Sequence, residues 1–351
     1  MTTSTVSPLP GQLRVKLKDL GDLIAAIPHL IGFPPAESVV LVGHGGPHGG
    51  SVERTVRVDL PPRHGIYEQA RYLAETFARE PAFGVTLVII GRRRDGPEDL
   101  VHTELVTTVE ALLLEAGVPR VHALWTPEVV MGAPWECYSD PECGGVLPEF
   151  HYSELAAAKA SVGLVTFESR EAKERTLSPA DAAAIERRSQ LLNAVYDEFG
   201  PLGKFGEAVE DACGAVRAAL GQAKSGRLEL TDEQAVELAV ALANTRVRDA
   251  GLALAVPPES EAAMNAETLW LALVRGLPAP ERADAAALLG YSAFLRRDTV
   301  LAGMAYDNAL AADPNHMLAN LLRLSMQRQV RPEQMIGLGK TEGLASLAEP
   351  L

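Results

Sequence analysis

The sequence is short of cysteine, of long apolar runs and of any leader-like segment. Three cysteines among 351 residues are too few for a disulfide framework and indicate a reducing compartment. No run of about 18 apolar residues occurs, so no membrane-spanning helix is predicted. The first residues, MTTSTVSPLPGQ, have neither the basic nor the apolar region of a secretory signal. We therefore expect a soluble, cytoplasmic protein without a membrane partner.

Basic residues are also in deficit. The formal net charge is −14, from 32 Lys and Arg against 46 Asp and Glu. Both parts of the chain share the deficit, because residues 1–150 contain 12 basic and 19 acidic side chains and the remainder contains 20 and 27. An evenly acidic surface repels a phosphate backbone, so nucleic acid is not expected as a partner.

The common catalytic and cofactor motifs are missing. The sequence contains no G-x-S-x-G, H-E-x-x-H or G-x-G-x-x-G pattern and no kinase-type set. The glycine-rich tract Gly43–Gly50 lacks G-K-[ST] and leads into a strand rather than a helix, so it is not a phosphate loop. No cofactor is predicted. These absences favour a non-catalytic protein but exclude no enzyme, because catalytic groups often come from distant loops.

Strand and helix signals alternate over the first part of the chain. Short apolar or alternating runs predict strands at 13–17, 37–44, 52–59, 84–90 and 120–126. Apolar residues at helical spacing predict helices between Asp19 and Gly32, at 67–79 and at 98–116. This order predicts an α/β domain over residues 13–150, a mixed sheet with packed helices, after a flexible tail at 1–12.

Beyond residue 150 nearly every signal is helical. The stretch 127–150, rich in Pro, Gly, Cys and Trp, is predicted to be irregular and to contain the domain boundary. Thr231 and Gln234 form a capping-box pattern at a helix start. Further helices are predicted at about 261–275, 280–296, 298–312 and 315–328. The prediction is an all-α helical domain at 151–338, followed by a tail at 339–351.

The last helices resemble a tetratricopeptide repeat. Its spacing is kept by Leu289, Gly290, Ala302, Tyr306, Ala309 and Pro314, although Ala286 and Ala293 stand where larger aromatic residues are usual. Small residues at 302 and 309 allow two helices to approach closely, and Tyr306 fills the gap between them. We interpret residues 283–328 as one TPR-like hairpin. The alternative is a repeat-like packing unit that has no peptide groove.

Two stretches together resemble one family. LKDLGDLIAAIPHLIGFPPAESVVLVG, at 17–43, is similar to the opening of the DUF4192 family of uncharacterised actinobacterial proteins. WECYSDPEC, at 135–143, resembles the middle motif of that family. The resemblance covers most of the chain but implies no activity and supplies no catalytic residues. In the family a second Cys and a Pro often follow the position of Cys143, whereas Gly144 and Gly145 follow it here.

The cysteine motif raises the question of a metal. Cys137, Cys143 and His151 have the spacing C-x5-C-x7-H. Structural zinc sites normally use C-x2–4-C pairs and four ligands, so a fourth ligand would have to be His122 or His44. The interpretation that we favour is a structural loop with two ordinary thiols and no metal. A reversible disulfide is not expected in a reducing compartment.

An arginine triplet is the best local candidate for a binding site. Arg92, Arg93 and Arg94 directly follow the apolar run VTLVII. Ligands of α/β sheets bind outside the carboxyl ends of strands, where three guanidiniums could bind phosphate or carboxylate. Neighbouring strand ends, His44 or Thr126, should then line the same concavity. The alternative is a solvated charged loop, as most charged runs are.

The leading hypothesis is a non-catalytic interaction or regulatory protein whose partner is another protein. It rests on the missing catalytic motifs, the alanine-rich helical region and the TPR-like hairpin. The alternative is an enzyme or sensor for a small anionic ligand, with its pocket at the carboxyl ends of the strands. A deep pocket between the arginine and cysteine loops would favour the alternative, and an exposed apolar surface on the last helices would favour the leading hypothesis.

Overall fold

The chain divides into two compact units, Met1–Ala172 and Lys173–Leu351. A computed structural model describes residues 19–45, 51–78, 83–92, 102–118, 121–149, 156–157, 165–200, 208–328, 330–338 and 347. No helix among these residues is long and apolar enough to cross a membrane. Each unit is described by itself below.

The first unit contains a six-stranded mixed sheet. Its strands are β1 (Ser38–Gly45), β2 (Ser51–Asp59), β3 (Gly84–Ile90), β4 (Val121–Thr126), β5 (Pro134–Cys137) and β6 (Gly144–Val146). They lie in the order β2-β1-β3-β4-β5-β6. The β3–β4 pair is parallel and the other pairs are antiparallel. The helices of this unit are α1 (Leu20–Ile31), α2 (Ile66–Ala78) and α3 (Thr103–Glu115), with a 3-10 turn at Arg63–Gly65.

Both faces of the central strands are buried, which is why their sequences are apolar without interruption. Leu41 of β1 and Leu87 of β3 lie on one face and share a core with Phe77 of α2. Val40 and Val88 alternate with them on the other face and are also fully buried. A strand covered on both sides has no solvent face, so it has no need of polar residues.

Local capping explains where α1 begins and ends. The Asp19 carboxylate accepts a hydrogen bond from the backbone N–H of Asp22 at 2.9 Å, which is the usual role of an N-cap aspartate. Gly32 ends the helix at φ +90°, a left-handed conformation that suits glycine.

The second unit is helical throughout its described residues. Its helices are α5 (Ala182–Phe199), α6 (Val209–Lys224), α7 (Asp232–Ala243), α8 (Thr245–Ala253), α9 (Glu261–Gly276), α10 (Arg282–Leu295), α11 (Thr299–Ala312), α12 (Met317–Gln327) and α13 (Pro332–Met335). Helix α4 (Arg170–Arg175) spans the division between the units. The predicted capping box of Thr231 and Gln234 is present at the start of α7.

A close helix contact in this unit joins α10 and α11. A Cβ atom added at Gly290 would lie within 2.6 Å of ring atoms of Tyr306, so the glycine is what allows the ring to lie there. Tyr306 is fully buried, as predicted. The hairpin packing therefore depends on one small residue facing one large residue.

The predicted fold class is confirmed: a mixed α/β sheet comes first and helices follow. The strands predicted at 37–44, 52–59, 84–90 and 120–126 share one sheet. The stretch predicted to be irregular differs, because β5 and β6 extend the sheet there. These strands are four and three residues long, too short for a periodic signal. The strand predicted at 13–17 lies outside the described residues.

Candidate functional site

The arginine triplet begins at the edge of the sheet where the parallel strands end. Ile90 of β3 pairs with Thr126 of β4, so the carboxyl ends of these strands meet there. Arg92 follows with an exposed side chain, and its backbone N–H donates to the Glu37 carboxylate at 3.4 Å. Arg93 and Arg94 lie outside the described residues. The anion site proposed for the triplet therefore stays a prediction.

The two expected neighbours of the triplet, His44 and Thr126, lie at different places in the sheet. His44 pairs with Gly84, at the start of β3, so it lies at the opposite edge of the sheet. The expectation for His44 was wrong because β1 runs antiparallel to β3, and a strand direction is not visible in the sequence of the strand. Thr126 is at the right edge but fully buried, where its hydroxyl donates to backbone carbonyls of Glu128 and Pro134.

An open depression of about 610 Å³ lies at the same edge as the arginine triplet. Arg57 and Asp59 line it from the end of β2, Tyr72 lines it from α2, and Arg170 lines it from the start of α4. Leu60 lines the depression and also packs beside the Gly91 backbone, next to Arg92. The depression is thus close to the Gly91 backbone, one residue before Arg92, although Arg92 does not line it.

Charges in the depression are nearly balanced. Arg57 donates to Asp59 at 2.6 Å and to the Ser38 hydroxyl at 2.9 Å, which holds its side chain against the sheet edge. Burial lowers the pKa of Arg57 and the Asp59 carboxylate opposes that shift, but a guanidinium stays protonated at neutral pH. Arg170 adds a second positive charge and Glu68 a second negative one. A ligand here would be met by paired charges and not by a positive patch.

The motif WECYSDPEC forms a hairpin, which we call the cysteine hairpin (residues 134–146). Trp135 lies in β5, and its indole packs against two glycines, Gly21 and Gly145. A Cβ atom added to Gly21 would lie 2.9 Å from the indole nitrogen, and one added to Gly145 would lie 3.0 Å from it. A larger residue at either glycine would displace the indole. The two stretches that carry the family resemblance thus pack on each other, at the start of α1 and in β5.

The two thiols of the cysteine hairpin are close together. The backbone N–H of Cys137 donates to the carbonyl of Cys143 at 3.0 Å, and the Cys137 sulfur lies 3.4 Å from the Ser139 hydroxyl. Burial first, then Cys137 and Asp140, raises the pKa of Cys143. Both cysteines are free thiols, as is Cys213.

The described residues do not bring a metal-ligand set together. No group of three or more His, Cys, Asp or Glu side chains in this part of the chain is arranged to hold a metal ion. His151 lies outside the described residues. His122 pairs with Thr86 on β3, and Thr86 in turn hydrogen-bonds His44 at 2.7 Å. The two histidines are therefore neighbours near the edge opposite the arginine triplet.

The last long helix exposes an apolar row, which we define as Met317, Leu321 and Leu324 of α12. Their exposed fractions are 75%, 56% and 40%. On the opposite side of the same helix, Ala319 and Leu322 belong to the core of the unit. The prediction of helices here did not separate the two sides. The spacing i, i+4, i+7 within MLANLLRL is a signal that could have identified the row.

Comparisons with known proteins give one match. The sequence model of a family described as "Domain of unknown function (DUF4192)" matches residues 21–333. The match runs from α1 into α13 and includes the cysteine hairpin. A search of curated proteins and a search of solved structures each returned no significant match.

Proposed function

The chain belongs to the DUF4192 family, whose description assigns no activity, and from its surface we propose that it is a non-catalytic interaction protein that binds a partner helix along the apolar row of α12. The observation that carries this proposal is the exposure of three large apolar side chains on one side of a helix whose other side is in the core. Large apolar side chains that are exposed together on one side of a helix mark a candidate interaction surface, which a partner helix could cover.

The surroundings of the apolar row indicate what the partner should look like. Arg323 lies on the same helix as the row, on a chain whose net charge is −14. Arg323 pairs with Asp307 at 2.7 Å, and both side chains remain partly exposed. A partner helix with an apolar row of its own, edged by acidic residues, would match both the shape and the local charge. The predicted TPR-like hairpin, residues 283–328, covers α10 and α11 and also includes α12, so the apolar row would belong to it.

A paired-variant experiment tests the proposal. Proteins captured from the native host by the parent chain are purified, and their affinities for the double variant Leu321→Asp/Leu324→Asp are measured by calorimetry. Burying one leucine contributes about 1.5–3 kcal/mol, so we expect affinity to fall at least about tenfold.

The control is Leu114→Asp, a leucine of α3 in the other unit that is more exposed (68%) than Leu321 or Leu324. It should bind like the parent. The proposal is contradicted if both variants bind every captured protein as the parent does. Sedimentation tests whether the parent associates with itself. If it does and the double variant does not, the occupant of the row is a second copy of the chain instead.

A second candidate function, a sensor or enzyme for a small anionic ligand in the depression, rests on Arg170, because Arg57 is already paired with Asp59. The depression lies at the sheet edge where ligands of α/β proteins commonly bind. The test is thermal stabilisation by a panel of phosphates and carboxylates. Ligand at about 100 times Kd should add about 2.7 kcal/mol to the parent and less to Arg170→Gln. Arg63→Gln, which does not line the depression, is the control, and an equal response of all three proteins would exclude this candidate.

A further inference from the structure

The cysteine hairpin places two thiols directly opposite one another. In the β5–β6 register Pro134 pairs with Val146, Trp135 with Gly145 and Glu136 with Gly144. Continued by one step, the register sets Cys137 against Cys143. The hydrogen bond from the Cys137 N–H to the Cys143 carbonyl, 3.0 Å long, shows that the pairing does continue to this position.

This placement meets the backbone requirement of a disulfide bond. Facing residues of an antiparallel pair have Cα atoms about 4.5–5.5 Å apart, and disulfides span Cα distances of about 4.4–6.8 Å. The loop between the cysteines is ordered by Asp140, whose carbonyl accepts from Cys143 N–H at 3.1 Å and whose carboxylate accepts from Glu142 N–H at 3.0 Å. The backbone therefore already has the geometry in which a bridge could form.

We propose that Cys137 and Cys143 are a reversible modification site, a dithiol that low-molecular-weight disulfides oxidise to an intramolecular bridge. Cys143 is partly exposed and is the thiol that an oxidant reaches, whereas Cys137 is buried and acts as the resolving thiol. Cys213 is buried in the other unit and plays no part. A reducing compartment does not exclude the proposal, because a bridge that solvent reaches on one side, here at Cys143, can be made and broken by thiol exchange.

The chemistry balances in two exchange steps. Because the pKa of Cys143 is raised, only a small fraction of it is ionised; that thiolate attacks one sulfur of the small disulfide, which breaks its S–S bond, forms a mixed disulfide and releases one small thiol. The Cys137 thiol then loses its proton and attacks the Cys143 sulfur, which forms the bridge and releases the second small thiol. The protein loses two electrons and two protons, and the small disulfide gains them.

The test equilibrates the full chain in glutathione buffers and counts free thiols by mass spectrometry after acid quenching and alkylation. Two molecules of reduced glutathione are released for each bridge formed, so the ratio of bridged to dithiol protein is inversely proportional to the square of the reduced glutathione concentration. We therefore expect the ratio of bridged to dithiol protein to fall about tenfold when total glutathione rises tenfold at a constant reduced-to-oxidised ratio. A stable mixed disulfide on Cys143 would show no such change and would overturn the proposal.

Proteolytic digestion locates the bridge independently. Cleavage after Glu142 separates the two cysteines, so the fragments should stay joined until a reductant is added. The variant Cys213→Ser should behave like the parent, and Cys143→Ser should lose the joined fragments. Full alkylation of Cys137 and Cys143 in the most oxidising buffer would also contradict the inference, and this readout requires no variant to fold.

Discussion

The two units bury their cores with different residues. The central strands of the first unit place β-branched and other large side chains, such as Val39 and Ile89, at nearly every position. The second unit packs alanine-rich helices, and a few large side chains such as Trp270, Tyr291 and Tyr306 fill the gaps that alanines leave. Packing in the sheet is thus spread over many similar residues. Packing among the helices depends on a few contacts between a small and a large residue.

The largest expected effect is at Tyr306. Truncation to alanine leaves a ring-sized cavity opposite Gly290, so we expect Tyr306→Ala to lower the free energy of unfolding by about 3–5 kcal/mol in urea titrations. The Tyr306 hydroxyl is buried with no hydrogen-bond partner among the described residues. The control Tyr306→Phe removes that unsatisfied group and should be neutral or stabilising. A loss under about 1 kcal/mol for Tyr306→Ala would show that the hairpin does not depend on this ring.

A pair of glycine substitutions sharpens the contrast within the helices. Gly290→Ala would place a methyl group against the Tyr306 ring, so a destabilisation of about 1–3 kcal/mol is expected. Gly214 is also helical, but nothing lies within 4 Å of its Cβ position. Gly214→Ala should therefore stabilise by about 0.5–1 kcal/mol, since alanine is the better helix former. Thermal unfolding of both variants distinguishes packing from helix propensity, and shifts of the same sign would refute the packing argument.

Capping should matter similarly in the two units, in contrast to core packing. Asp19 caps α1 in the first unit and Thr231 caps α7 in the second, each through a hydrogen bond to a backbone N–H. Replacement of either by alanine should cost about 1 kcal/mol. Urea unfolding of the two variants measures this. A loss in one unit several times that in the other would mean that the cap residue has a further role there.

The smallest effect concerns pH and belongs to the first unit. Burial, with a contribution from nearby His122, lowers the pKa of His44 below its ordinary value of 6.5. The unfolded chain then binds a proton more readily than the folded chain, so His44 makes stability fall as pH drops through and below about 6.5. When the pH is lowered from about 7.5 to about 5.5, the urea concentration at the midpoint of unfolding should fall less for His44→Gln than for the parent. Exposed His64→Gln should follow the parent, and identical curves for all three proteins would contradict the prediction.

Much of the fold followed from local patterns. The apolar runs at Val39–Val42 and Val85–Ile90 indicated buried strands because a strand covered on both faces needs no polar residue, and both runs are buried. Helix ends at Gly32 and Thr231 were readable because capping depends on neighbours in the chain. β5 and β6 were missed because short edge strands are selected by their pairing partners and not by their own sequence.

The candidate sites were harder to predict than the elements. The sequence indicated an arginine triplet, and Arg92 does follow β3 at the carboxyl edge. The depression beside it uses Arg57 and Arg170, which are far apart in sequence and have no shared pattern. The apolar row of α12 had a readable spacing, but a row of leucines at helical spacing is equally typical of a core. Exposure was the deciding property, and it depends on what packs against the helix.

By itself, the sequence determined the fold class, the family and the acidic charge. It also placed Gly290 and Tyr306 at the spacing of a helical hairpin. Each of these depends on composition or on near neighbours in the chain. Tertiary structure decided which residues face each other. In the folded chain His44 lies at the edge of the sheet opposite Arg92, and Cys137 lies opposite Cys143. Strand direction and register are set by pairing between distant segments, whose geometry no local pattern records.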